Sequence, residues 1–384
     1  MSTDADLLIL GGGLAGLSIA ARLARRGAGG RVIVIEQRVC YEDDRSWAFW
    51  TPAGSRWACR AAATWQKWRF GVRAGGSVVA AAPQWQYVFI RSLTVYEAAR
   101  AAIAANPRVT LALGVQAGAV QRQADGLMVE TSAGRLHARH VIDARPPDPR
   151  RVAQSQLLQS FYGREITIAD PTDASIADVM SDMRCDQQGF VFAYILPLSP
   201  RHALVEVTRF ATEFHDRPAL ARELDTLLAE RGWSDAAVVR EEHAVLPMGL
   251  PQSSRHEAMP GMVRAGTAAG ALRAASGYGF LRIQAWAEHC ADAIAREQPP
   301  LGHPPEPRLR RWMDEVFLHA LATHPVQMPE FFLRLAARVP PAALVRFLSD
   351  AARPGDVLRI MAALPSGPFL RAILQRHSAW GQRP

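Results

Sequence analysis

Three glycines and one acid raise the first chemical question. Gly11, Gly13 and Gly16 in "LILGGGLAGLSIAARLARRG" have the spacing G-x-G-x-x-G. Glu36 ends the apolar run "VIVIE" about 20 residues beyond the last of them, where a ribose-binding acid is expected. The first glycine permits a tight turn, the second lets backbone approach a pyrophosphate, and the third lets a helix pack close on a strand. Phosphates held there face the free N–H groups and positive dipole end of that helix. The spacing alone is a weak signal. Here an apolar strand precedes it, an alanine-rich helix follows, and Glu36 completes a βαβ unit. The acid also argues against a 2′-phosphate, and so against NADP in this pocket.

The nucleotide is FAD or NAD. A simple NAD dehydrogenase continues with further βα units, whereas this chain turns at residue 39 into a long insert rich in tryptophan. A second glycine patch, "AGTAAG", places Gly266 and Gly270 before a late helix, where backbone can close over the flavin end of FAD. These features favour FAD, with Arg45 a further candidate on the cofactor side. Glu206 in "LVEVT" is the candidate acid. Apolar neighbours raise a carboxyl's pKa and can keep it protonated, although a strand glutamate can equally face solvent. Trp47, Phe49, Trp50, Trp65, Trp68, Trp85 and Tyr278 are core side chains or π-faces for a cation.

The elements that must position these residues follow from periodicity. Residues 5–38 form the βαβ unit. "LTVYEAARAAIAANP" reads as a helix, and "RVTLALGVQAGAVQRQADGLMVETSAGRLHARHVIDAR" as an antiparallel ribbon returning into a buried strand at 141–144. "GFVFAYILPLSPRHALVEVTRF" is a hairpin and "EFHDRPALARELDTLLAERGW" a helix. Past Pro299 the chain reads as helical, with breaks at Pro325, Pro340, Pro354 and Pro365. The expected class is α/β: a Rossmann-like FAD-binding domain (1–150 and 240–298) interleaved with a sheet-rich substrate domain (151–239, with part of 39–90). A helical C-terminal region (299–384) follows.

Several stretches, in order along nearly the whole chain, resemble the FAD-dependent lycopene cyclase family, the bacterial β-cyclases of carotenoids. "DRSWAFW" is similar to its "hTWsFW", and "FAYILPLSPRHALVEVTRF" to "FvYtLPls…aLiEdTrf". "EEHAVLPMGL" is similar to "E.GviPmaL", and "RAGTAAGALRAASGYGF" to "G..aG..hpsTGY". "RFLSDAARPGDVLRIMAALPSGPFLRAIL" resembles the family's tail. The resemblance implies proton-initiated closure of the ψ ends of lycopene to β-ionone rings, without net redox change. It also implies reduced FAD, NAD(P)H as reductant, Glu206 as the acid, and Trp47, Phe49 and Tyr278 at the substrate. The chain departs from the pattern at the second acid, where Val207 stands, and at Ser276, Leu348 and 273–275. An aspartate restored at 207 is therefore expected to leave activity similar or raise it. A monooxygenase, a prenyl-chain reductase or a flavin-binding module without turnover remain alternatives.

The bulk composition narrows the partners. Hydrophobic residues at 49% and charged residues at 21% are ordinary for a globular chain of 384 residues. No uninterrupted apolar run reaches the roughly 18–20 residues of a transmembrane helix. The start has no basic segment typical of a signal peptide. The net charge of +8 suits anionic lipid, while no nucleic-acid-binding signature accompanies it. Arginine-rich helices carrying Phe331, Phe332, Leu333, Leu344 and Phe347 are candidates to lie on lipid. The expected location is the cytoplasm, peripherally attached to the inner face of the cell membrane. Scattered cysteines and histidines without ligand spacing give no expected metal site.

Overall fold

The first strand, β1 (Ala5–Leu10), runs into a glycine turn, α1 (Leu14–Arg26) and β2 (Val32–Glu36). The computed structural model describes residues 3–250 and 259–364. Both strands are almost wholly buried, which is why they read as continuous apolar runs and not as alternation. Five strands follow in the tryptophan-rich insert: β3 (Ser46–Pro52), β4 (Ala63–Trp65), β5 (Lys67–Val72), β6 (Ser77–Ala81) and β7 (Trp85–Arg91). Next come α2 (Ser92–Ala104), β8 (Val109–Leu113) and the ribbon β9 (Ala117–Gln123), β10 (Gly126–Thr131) and β11 (Gly134–Asp143). One helical turn, α3 (Pro149–Val152), leads to β12 (Leu157–Thr167), β13 (Ile176–Asp186), β14 (Gly189–Ser199) and β15 (His202–Ala211). Then follow α4 (Arg217–Glu230), β16 (Ala237–Met248), β17 (Met262–Arg264) and α5 (Phe280–Ala295). The last helices are α6 (Arg308–Thr323), α7 (Met328–Arg338), α8 (Pro341–Leu348) and α9 (Pro354–Ala363).

The strands form three sheets. The first has the order β8-β2-β1-β11-β10-β9, with β17 parallel to the end of β11. The late helix α5 packs on α1, fixed by Arg22, which donates to Gln284 (2.9 Å) and Glu288 (2.7 Å). That contact brings the loop at 265–279 beside the glycine turn. The second sheet has the order β16-β12-β15-β14-β13-β5-β6, and β3-β7-β4 form the third.

Strand β15 is buried on both faces. Val205 and Val207 pack against Leu220, Leu224, Leu227 and Leu228, the apolar stripe of α4. Leu204 and Glu206 point the opposite way, as a period of two requires.

Three expectations need correction. Residues 109–113 do not join the antiparallel ribbon; they form β8, which pairs parallel with β2 at the far edge of the first sheet. Residues 240–248 do not join the cofactor side. They belong to β16, which pairs with β12 along its length and completes the second sheet. The charged "REE" at 240–242, inside this strand, hid its alternation. The tail aromatics also do not form an outer face. Phe331 and Leu344 are buried, and Phe332, Leu333 and Phe347 pack at the edge of the same core, because α7 lies on β5, β6 and β13. Among the described residues, the exposed large apolar side chains of the tail are Leu301, Leu309, Trp312, Val326, Leu358 and Met361. Pro340 and Pro354 mark helix starts, where a missing N–H costs nothing. Pro365 and the rest of the expected helical region to 384 lie outside the described residues.

Candidate active site

The glycine turn is built for close approach. Gly11 has φ 96°, and its N–H donates to the Ile35 carbonyl at 2.8 Å. A Cβ on Gly16 would overlap the Gly11 carbonyl oxygen, so α1 could not sit so near the strand. At Gly13 a Cβ would meet no protein atom within 4 Å. This is open space at the helix start, where a pyrophosphate fits. Glu36 accepts from the Gly12 N–H (2.7 Å), the Arg38 N–H (2.9 Å) and Arg38 Nε (3.1 Å). Burial alone would raise its pKa, but the bonds and charge of Arg38 and the Gly12 N–H outweigh burial and hold it below the usual range. An ionised acceptor at the end of β2 suits a ribose hydroxyl. Arg38 was not singled out in the sequence; its signal was position, two residues past the acid.

The late glycines are placed differently from one another. Gly266 (φ 68°) packs beside Ala15 of α1 and opens a single turn at 266–269, not the long helix, which begins at Phe280. Its N–H donates to His303 Nε2 at 3.0 Å. Burial, helped by Arg282, lowers the His303 imidazole to about 4, so it stays a neutral acceptor. No spacing rule pointed to His303. Gly270 stands on a cavity wall (φ 75°) with nothing within 4 Å of a Cβ. Arg45 borders the same cavity and pairs with Asp44 at 2.8 Å.

That cavity, of about 590 Å³, lies between the nucleotide-side loop and the second sheet. Trp47, Phe49 and Trp50 of β3 form one wall, and Tyr278 and Phe280 form another. Phe280 stacks on Phe49 with centroids 4.8 Å apart, and Trp50 meets Tyr87 at 4.7 Å and Tyr278 edge-on at 5.9 Å. Trp65 and Trp68 are core. A second cavity of about 350 Å³ shares Trp50, Tyr194 and Tyr278 with the first and runs among aromatic side chains beneath α6, α7 and α9.

Glu206 lines the first cavity and is only 7% exposed. Thr208 Oγ1 donates to its Oε1 at 2.7 Å. Burial, then the nearby Glu242 carboxyl, push its pKa well above the ordinary value. Tyr194 lies opposite it on β14 and Gly163 opposite it on β12. Glu242 of β16 pairs with the same Gly163 from the far side. It too lines the cavity, at 6% exposed, and its charge helps to raise the Glu206 carboxyl. Arg240 Nη1 donates to Glu242 at 2.7 Å, and Ser46 Oγ lies 2.8 and 2.9 Å from its two oxygens. Glu242 sat unremarked inside "EEHAVLPMGL". Val207 is on the α4 side of β15, so the expectation for an aspartate there is reversed: its carboxyl would face the Val205–Leu224 cluster and not Glu206. Among the described residues no three His, Cys, Asp or Glu side chains gather as a metal site, and no helix is long and apolar enough to cross a membrane.

A family model described as "Lycopene cyclase protein" matches residues 6–374. The chain is 29% identical over 319 residues to a lycopene beta-cyclase of Pseudescherichia vulneris, covering 81% of this chain and 78% of that protein. It is 27% identical over 260 residues to a lycopene beta-cyclase of Pantoea ananas, covering 64% and 68%. Among solved structures, a geranylgeranyl bacteriochlorophyll reductase-like protein from Thermoplasma acidophilum aligns with a TM-score of 0.61 at 13% identity, covering 97% and 98% of the chains. Halogenase PltM in complex with phloroglucinol and FAD aligns with a TM-score of 0.56 at 13% identity, covering 100% and 93%. The fold is therefore the mixed α/β fold of FAD-dependent oxidoreductases and monooxygenases, with a helical C-terminal region.

Proposed function

Because the chain belongs to the lycopene cyclase family, we propose that it closes the ψ end groups of lycopene into β-ionone rings, with Glu206 as the acid. The observation that carries this reading is a buried carboxyl in the wall of an aromatic-lined cavity. Its raised pKa favours the protonated form. Glu206 gives that proton to the terminal double bond, forming a C–H bond and a tertiary cation. The π pair of the next reacting double bond then makes the ring C–C bond. A ring proton leaves to a carboxylate, so atoms and electrons balance without net redox change. The faces of Trp47, Phe49 and Tyr278 supply negative quadrupole to the cation.

FAD fits the nucleotide side. Gly13 leaves room for a pyrophosphate, Glu36 is an anchored acceptor for the ribose, and Gly270 borders the cavity toward the flavin end. When bound and kept reduced by NAD(P)H, the flavin supplies an electron-rich ring that stabilises positive charge. The polyene beyond the end group needs apolar housing, which the second cavity supplies behind Tyr278. So insoluble a substrate also requires lipid access. Trp312 and Met361 line the second cavity and are exposed, beside the exposed Arg308, Arg311 and Arg359. This supports peripheral attachment to the anionic inner face of the membrane.

The test is Glu206→Gln in cells that accumulate lycopene, followed by anaerobic assay of purified protein with FAD and NAD(P)H. Glutamine keeps the size but cannot supply the proton. Turnover should fall by about 10²–10⁴, the usual worth of general acid–base catalysis, with FAD content unchanged. Near-normal turnover removes Glu206 from the mechanism.

A further inference from the structure

Two acids lie two strands apart, with a glycine between them. Strands β15 and β16 flank β12, so their backbones stand about 10 Å apart. Gly163 is the β12 residue opposite both Glu206 and Glu242. A Cβ there would stand 3.1 Å from Glu206 Cβ and 3.3 Å from its Cγ. A side chain at 163 would therefore press on the stem of Glu206, on the strand between the two acids. Glu242 has no freedom to turn away. Arg240 and Ser46 hold its oxygens, and Arg240 is itself anchored to the fully buried Glu165 at 3.1 Å.

We propose that Glu206 and Glu242 form a one-proton carboxyl pair over Gly163, in which Glu206 carries the proton toward the substrate and Glu242 is a positioning residue that keeps it there. The proposal rests on the cyclase reading only for the identity of the substrate. The groups that face Glu206 are few. Thr208 donates from its own strand, and Tyr194 of β14 and Tyr87 of β7 are neutral phenols with raised pKa values. Tyr278, from the loop before α5, borders the same cavity, and burial raises its pKa as well. Arg240 of β16 is the cation bonded to the pair, through Glu242, and it also bonds Glu165 and the Asp43 carbonyl; Arg45, Arg282 and Arg310 line the same cavity. Two carboxylates this close cannot both be ionised cheaply, so one proton is retained. When Glu206 releases that proton to the alkene, the pair becomes a dianion facing a carbocation. It is then a strong base for the ring proton that must leave, and taking that proton restores the resting state.

The experiment compares wild-type holoenzyme with Glu242→Gln and Gly163→Ala. The first removes the like charge, and the second keeps both acids but presses on the stem of Glu206 from the strand between them. Two readouts are taken against pH: turnover, and the infrared C=O band of a protonated carboxyl in the substrate-free protein, assigned by its loss in Glu206→Gln. In Glu242→Gln the alkaline limb of the rate profile and the infrared titration should move together to lower pH by at least about one unit, a tenfold rate loss at pH values above both limbs. Gly163→Ala should move them the same way. Acidification should restore much of the lost rate. A loss that is equal at every pH, or an infrared titration that does not move, overturns the pair. Infrared shifts in a protein that turns over no lycopene would leave the pair standing and sink the cyclase reading instead.

Discussion

Replacing Val207 with aspartate asks which way a strand faces. In the sequence, this change restores an acid that the family pattern carries beside Glu206. In the structure, Val207 is 1% exposed and packs with Val205, Leu220 and Leu224, opposite Tyr162 on β12 and Ala193 on β14. Losing the buried valine costs about 1.5–3 kcal/mol. A carboxyl placed there without a partner has its pKa raised by roughly 3–5 units, and at 1.36 kcal/mol per unit that adds about 4–7 kcal/mol at neutral pH. The sum is comparable with the roughly 5–15 kcal/mol by which a typical domain is stable. The sign is fixed by linkage. The new carboxyl's folded pKa lies above its unfolded value of about 3.9, so the electrostatic penalty is fully present above the folded pKa and fades as pH falls toward 3.9. Urea midpoints from pH 5 to pH 8 are the assay, with Val207→Asn as a control that lacks the titration. Val207→Asp should be much less stable than wild type at neutral pH, with a gap that narrows on acidification while the control's gap stays constant. A Val207→Asp protein as stable as wild type at neutral pH, with unchanged or higher turnover, would show that position 207 faces the cavity and that this register argument is wrong.

Two further outcomes test the ends of the site. Gly13→Val should abolish FAD binding while circular dichroism and thermal unfolding of the apoprotein stay near wild type, because its Cβ meets no protein atom; retained FAD would remove the glycine turn from the cofactor site. Wild-type protein should bind anionic vesicles better than neutral ones, with the excess lost in high salt. Trp312→Ser combined with Met361→Ser should weaken the salt-resistant part, and unchanged binding would place the lipid contact elsewhere.

What was legible in the sequence was what a short segment decides for itself. The βαβ unit, the part of the ribbon from β9 to β11, the hairpin β14–β15 and α4 each have a local period and a local stop, and each is where the pattern put it, whereas β8, read as part of the ribbon, pairs parallel with β2 instead. Gly11, Gly13, Gly16 and Glu36 come together because one turn joins them. Trp47, Phe49 and Tyr278 reach one cavity. What failed was whatever depended on a remote partner. The tail aromatics look amphipathic in isolation, but their faces are covered by β5, β6 and β13, which come from far upstream. His303 meets Gly266 only because the chain after α5 doubles back on the glycine patch.

The second acid shows why motif reading had this limit. Adjacent residues on a strand point to opposite faces, so an acid next to Glu206 in sequence is on the wrong side of the sheet to share its proton. The geometry that gathers two carboxyls on one face is cross-strand, and it depends on register. Sliding β16 by one residue against β12 would turn Glu242 away from the cavity and leave Glu206 without its partner. That register is held by β12 pairing along its whole length with β15 on one side and β16 on the other. It is pinned further by Arg240, which bonds Glu165 of β12 and Glu242 of its own strand at once. Arg240 therefore has two roles in one position: it holds the strand alignment that sets Glu242 across Gly163 from Glu206, and it donates directly to the Glu242 carboxyl.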